Sequence, residues 1–264
     1  MRRALEYVRT FDGVIAQHAQ DPNLTVGAQM NEGVVSSRLG LKGWPAVAEE
    51  SIIARDVLLA EHVKSRLHIC HVSTAGSVAI IRWAKQRGIN VTAEVTPHHL
   101  LLTDDLAESY DPIFKVNPPL RTKGDVEALR EGLADGTIDI VATDHAPHPR
   151  ESKECEWSAA AFGMLGLETA FSIAYLAMVR SGMINLKTLV TRMSASPAAI
   201  AQFDSQGSLE VGNWANFALV DLDRSWVVNL EKIRSKSRNT PFVEMELPGA
   251  ISATYFRGRE VFSE

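Results

Sequence analysis

Three short apolar runs in this sequence end on side chains that can hold a metal ion or move a proton. Val14-Ile15-Ala16-Gln17 ends at His18, Arg66-Leu67-His68-Ile69-Cys70 at His71, and Ile138-Asp139-Ile140-Val141-Ala142-Thr143 at Asp144. The last run continues as Asp144-His145-Ala146-Pro147-His148, and Pro147 and Pro149 stop any further strand. Neutral imidazole and carboxylate are ligands suited to zinc and its neighbours. A single strand-end histidine is more often a packed or turn residue than a ligand, and a lone aspartate there can be an N-cap. Three strands with the same kind of ending favour one shared centre, in which a metal activates water and a carboxylate handles its proton. A fourth run, Ile89 to Val95, leads into Thr96-Pro97-His98-His99. Those histidines are expected to shape the loop or support the ligands rather than to bind metal.

The elements that must carry these residues alternate. Helical patterns at Arg2–Arg9, Pro45–Lys64, Ala75–Arg87, Gly124–Leu133 and Gly166–Arg180 separate or follow the four runs. Strand-helix repetition predicts a parallel sheet of βαβ units, and functional groups at the carboxyl ends of such strands are the layout of an α/β barrel. Gly27 to Pro45, rich in Gly, Ser and Asn, is expected to be a long loop over the top of the domain. Asn117-Pro118-Pro119-Leu120-Arg121 is expected to be a rigid loop. After about residue 205 the texture changes to turn, strand and a hairpin at Ile251–Val261. The division expected is a barrel portion at 1–204 and a small C-terminal β segment at 205–264.

The bulk numbers narrow the function. The chain has 264 residues, 45% hydrophobic and 22% charged, which is ordinary for a globular protein. A net charge of -5 leaves no basic footprint for nucleic acid and no polybasic membrane patch. Two cysteines make no disulfide framework, so the cytoplasm is the expected compartment. No apolar run reaches membrane-spanning length, and the N-terminus lacks the apolar stretch of a signal peptide.

The motifs taken together resemble bacterial dihydroorotase, of the amidohydrolase superfamily. The resemblance rests on His71-Val72-Ser73-Thr74-Ala75-Gly76, Glu94-Val95-Thr96-Pro97-His98-His99-Leu100, Asn117-Pro118-Pro119-Leu120-Arg121 and Thr143-Asp144-His145-Ala146-Pro147-His148, in that order. Gly207-x-Leu209-x-x-Gly212 is similar to the start of that family's C-terminal β segment. The resemblance implies the C-terminal part of a (β/α)8 metal-dependent hydrolase barrel, with strands five to eight present. It implies a binuclear zinc centre and the interconversion of N-carbamoyl-L-aspartate and L-dihydroorotate in pyrimidine synthesis. In it, His18 and His71 are metal ligands, and Asp144 is a ligand and proton shuttle. Asn117, His148, Phe162 and Gly163 are substrate-binding residues. The implied partner is a small-molecule substrate, with a second copy of the chain or aspartate transcarbamoylase as protein partners.

Two departures from that pattern stand out. The family's His-x-His strand, which supplies two further ligands and a nearby arginine, has no counterpart in this sequence, and neither has its bridging carboxylate. The expectation is a fragment or mis-assigned start of a longer gene, with little or no turnover alone. One piece of a split enzyme and a degenerate homologue remain the alternatives. Gln20 stands where the family often has an acid, and Asn216 where it usually has aspartate; neither is expected to touch the site. Competing functions are another cyclic amidohydrolase, such as hydantoinase or allantoinase, and an inactive subunit that supports aspartate transcarbamoylase.

Overall fold

The structure is a computed structural model that describes residues 1–263. Two compact units emerge from the packing: residues 1–166 with 235–241, and residues 167–234 with 242–264.

The first unit opens with α1 (Arg2–Val8) and β1 (Val14–Gln17). The expected long loop then proves to be structured. It holds β2 (Met30–Asn31), α2 (Val34–Leu39) and β3 (Gly43–Trp44), with Met30 paired to Gly43 and Asn31 to Trp44 in parallel. A two-residue strand carries no alternation, and its partner lies across a helix, so composition alone reads as loop. Next come α3 (Val47–Val63), β4 (Arg66–Ile69), α4 (Ala75–Gln86), β5 (Val91–Val95), α5 (Lys123–Asp135) and β6 (Ile140–Val141).

β1, β4, β5 and β6 form a parallel sheet in that order. The helices α4 and α5 are capped by their own side chains. Thr74 accepts from Ser77 N at the start of α4, and Thr122 and Asp125 form a capping box at α5. Gly136 ends α5 at φ 89, a left-handed position where glycine costs least. Leu67, Ile69, Ile81, Leu129, Leu133 and Ile138 are fully buried and make the core between sheet and helices. β6 is shorter than the apolar run predicts. Still, Asp139 N donates to Ala93 O at 2.9 Å and Ala142 N to Val95 O at 3.1 Å, so the run is fixed against β5 up to the residues before Asp144.

The second unit holds α6 (Ala170–Ala174), which widens into a π-helical stretch at Tyr175–Arg180, then α7 (Leu186–Val190) and α8 (Ser196–Ile200) joined by a second π stretch. Its strands β7 (Phe217–Val227), β8 (Glu246–Phe256) and β9 (Arg259–Ser263) form an antiparallel sheet in sequence order. The expected hairpin is the β8–β9 pair, turned at Arg257-Gly258. The α/β class and the antiparallel C-terminal segment are as the sequence implied. Among the described residues, no helix is long and apolar enough to cross a membrane.

Candidate active site

The register of β1 against β4 sets two histidines side by side. Gln17 pairs with Ile69, and Cys70 N donates to Gln17 O at 2.9 Å, which leaves His18 and His71 just beyond the ladder. His71 takes φ 33, and this turn out of the strand brings its ring back over β1. His18 Nδ1 then lies 2.9 Å from His71 Nε2, with the rings edge to face at 4.7 Å. Glu94 on β5 supports the turn: its carboxylate accepts from His71 N–H at 3.2 Å and from His68 Nε2 at 2.9 Å.

The tautomer of His18 follows from its other neighbour. Gln20 Oε1 lies 2.8 Å from His18 Nε2 and also accepts from Asn117 Nδ2 at 3.2 Å. A carbonyl oxygen only accepts, so Nε2 carries the proton and the Nδ1 lone pair faces His71. Gln20, expected to stand clear of the site, therefore touches it and ties Asn117 to the histidine pair. A side chain two residues past a strand-end histidine is a signal that could have placed it. Asn117 Oδ1 and His71 Nδ1 are buried without a protein partner.

Burial, and then the neighbouring His18, push the His71 imidazole below its ordinary value, while Asp144, Glu49 and Glu94 pull the other way. Its neutral form is the form that binds metal. Cys70, beside it, is pushed up to about 12 by burial and by the charges of Glu94 and Asp144, so it stays a thiol. Asp144 sits at φ 45, exposed at the end of its run, and acts electrostatically on both residues.

The fit to a metal is partial. Two nitrogens on one ion at about 2.0–2.1 Å stand roughly 3 Å apart, which is the spacing of the His18–His71 pair. Among the described residues, no group of three or more His, Cys, Asp or Glu side chains is placed to hold a metal ion. The structure thus brings His18 and His71 together and leaves Asp144 outside their contact.

The remaining candidates form a second group. His148 Nε2 donates to Phe162 O at 2.8 Å, and Gly163 N donates to Lys115 O at 2.9 Å. Phe162 packs edge to face on Trp44 at 5.9 Å, with Lys115 Nζ 4.5 Å above its ring. Lys115 and Lys153 are both buried and bound to backbone carbonyls: Lys115 Nζ to Trp157 O at 2.7 Å, and Lys153 Nζ to Ala161 O at 2.9 Å and Lys115 O at 3.2 Å. Burial and the neighbouring Lys115 push Lys153 down to about 8. The segment Lys115–Asn117 joins the two groups. Sequence reasoning missed this pair of lysines, because two single cations 38 residues apart carry no pattern.

The Amidohydrolase family profile matches residues 25–261, which take in the site residues from His71 onward and begin just after His18 and Gln20. The chain belongs to the amidohydrolase family. It is 65% identical over 260 residues to a dihydroorotase of Streptomyces coelicolor, covering 98% of this chain and 61% of that protein. It is 54% identical to a dihydroorotase of Mycobacterium tuberculosis, covering 98% of this chain and 60% of that one. Among solved structures it is similar to an L-hydantoinase (dihydropyrimidinase) from Arthrobacter aurescens, with a TM-score of 0.90 and 31% identity over 99% of this chain and 60% of that chain. The likeness to a D-hydantoinase from Thermus sp., at TM-score 0.89 and 22% identity, shows the fold alone. The chain spans about 60% of the length of the curated relatives it matches.

Proposed function

We propose that the protein carrying this chain is a zinc-dependent dihydroorotase, which interconverts N-carbamoyl-L-aspartate and L-dihydroorotate in pyrimidine synthesis in the cytoplasm. The observation that carries the reading is 65% identity to a dihydroorotase across nearly the whole chain. The retained His18, His71, Asp144, Asn117, His148 and Phe162-Gly163 support it. The functional division is a partial barrel at 1–204 and a β segment at 205–264.

His18 and His71 would hold zinc, with Asp144 as a further ligand. A zinc pair, when bound, polarises an amide carbonyl and makes hydroxide available near neutral pH. Asp144 accepts the proton of the attacking water and delivers it to the departing ring nitrogen. In the synthetic direction Asp144 removes the amide proton instead. His148 meets the substrate carboxylate, and the unpartnered Asn117 Oδ1 accepts from a ring N–H. Phe162 and Gly163 complete the substrate-binding group beside His148, and the missing Cβ of Gly163 lets Ala146 and the His148 ring pack against it.

The test is turnover of dihydroorotate together with zinc content, on the protein carrying this chain and on Asp144→Asn. The variant is expected to fold and to lose at least about a thousandfold in kcat. Near-normal turnover by the variant sinks the role of Asp144. A second reading, hydrolysis of a hydantoin ring, is favoured by the 31% identity and TM-score of 0.90 to the L-hydantoinase. A parent that cleaves hydantoins and leaves dihydroorotate intact would establish it. Association with a second copy, or with aspartate transcarbamoylase, belongs to the dihydroorotase reading and is checked by co-elution in size-exclusion chromatography.

A further inference from the structure

We propose that Asn239 is a positioning residue that sets His148 and Gly163 for recognition of the substrate carboxylate, an inference that rests on the dihydroorotase reading. Asn239 lies in Arg238-Asn239-Thr240-Pro241, a stretch with no chemical motif, and is buried at 5% exposure. Its amide is fully engaged, and always with the second group of site residues. Oδ1 accepts from His148 N–H at 3.1 Å. Nδ2 donates to Ala146 O at 2.8 Å and to Gly163 O at 3.3 Å. Its backbone carbonyl accepts from Leu165 N at 2.9 Å.

One side chain therefore spans two stretches that are remote in sequence, Ala146–His148 and Gly163–Leu165. Besides it they are tied by Ala146 N to Met164 O at 3.0 Å and by His148 Nε2 to Phe162 O at 2.8 Å. The separation they keep is narrow. A Cβ on Gly163 would stand 2.6 Å from Ala146 Cβ and 2.9 Å from His148 Nε2. Asn239 holds the backbone of His148 by its amide N–H and that of Gly163 by its carbonyl. Loss of these bonds frees the imidazole to move relative to the Phe162-Gly163 backbone. Among the described residues, the Asn239 side chain hydrogen-bonds to Ala146, His148 and Gly163 and not to His18, His71 or Asp144, so its effect falls on substrate binding more than on the reacting bond.

The experiment compares the metal-loaded protein with Asn239→Ala and with the isosteric Asn239→Asp, which keeps the acceptor for His148 N–H and loses both donations. Each is assayed on dihydroorotate and on dihydroorotate methyl ester, which lacks the carboxylate. Expected is a roughly tenfold rise in KM for the acid, kcat within about threefold, and a KM for the ester that stays close to the parent value. A defect of folding would depress both substrates alike, and thermal unfolding followed by circular dichroism identifies it. If either folded variant keeps the parent's discrimination between acid and ester, the assignment of Asn239 is overturned while the dihydroorotase reading stands. If the parent itself turns over neither substrate, the dihydroorotase reading fails and takes this assignment with it.

Discussion

Lowering the pH from 7 to 5 should destabilise the fold, with a share of the loss assignable to His99, which is buried against the loop that carries Asn117. His99 is 1% exposed and both ring nitrogens are committed. Nε2 faces Pro118 O at 3.2 Å and Pro119 O at 3.3 Å, so it carries the proton. Nδ1 faces Thr96 Oγ1 at 2.8 Å, and that hydroxyl already accepts from His99 N–H at 3.1 Å. The hydroxyl therefore donates to Nδ1, and a proton placed on Nδ1 would have to displace that bond. Burial, reinforced by His71 and opposed by the Pro119 carbonyl, pushes His99 down to about 3. In the unfolded chain the same imidazole titrates near its ordinary value of about 6.5. Between these values only the unfolded state takes the proton, so the contribution is complete above about pH 6.5 and is lost as the pH falls towards 3. At pH 5 the proton favours the unfolded chain by about 2 kcal/mol, against about 0.2 kcal/mol at pH 7. The assay is urea unfolding of the parent and of His99→Gln at both pH values. The parent should lose about 2 kcal/mol more than the variant between pH 7 and 5. Parallel losses in the two proteins would refute the neutral, buried state of His99.

Two further perturbations test the supports of the site. Gly163→Ala places a Cβ 2.6 Å from Ala146 Cβ at a backbone φ of 131, so it should strain the loop by about 1–3 kcal/mol and raise KM for dihydroorotate; an unchanged KM would show that the Phe162-Gly163 backbone does not contact substrate. Arg121→Met removes a guanidinium bound to Ser73 Oγ, Asn31 Oδ1 and Trp44 O, and leaves the buried carboxylates of Glu49 and Asp104 without their cation. It should cost about 3–5 kcal/mol in urea unfolding, and a loss under about 1 kcal/mol would mean the network relaxes around the hole.

These supports separate what the sequence discloses from what it conceals. The strand ends at His18, His71 and Asp144 were legible because an apolar run must bury itself, and the first polar residue beyond it then lies at the sheet's edge. The direction of those side chains was not legible, because it depends on backbone angles at single residues. His71 at φ 33 and Asp144 at φ 45 both leave their strands in the left-handed region, and no local pattern announces that turn. The segment Gly27–Pro45 was concealed for a related reason: Met30 finds Gly43 only after α2 has folded between them. Asn239 is the extreme case. Nothing adjacent to it in sequence carries chemistry, and its partners Ala146, His148 and Gly163 lie in stretches far earlier in the chain. Residues that perform chemistry recur as types at strand ends, whereas residues that hold them are selected by distance in space. The first kind can be found by reading along the chain, and the second only by asking which buried donors and acceptors each site residue has satisfied.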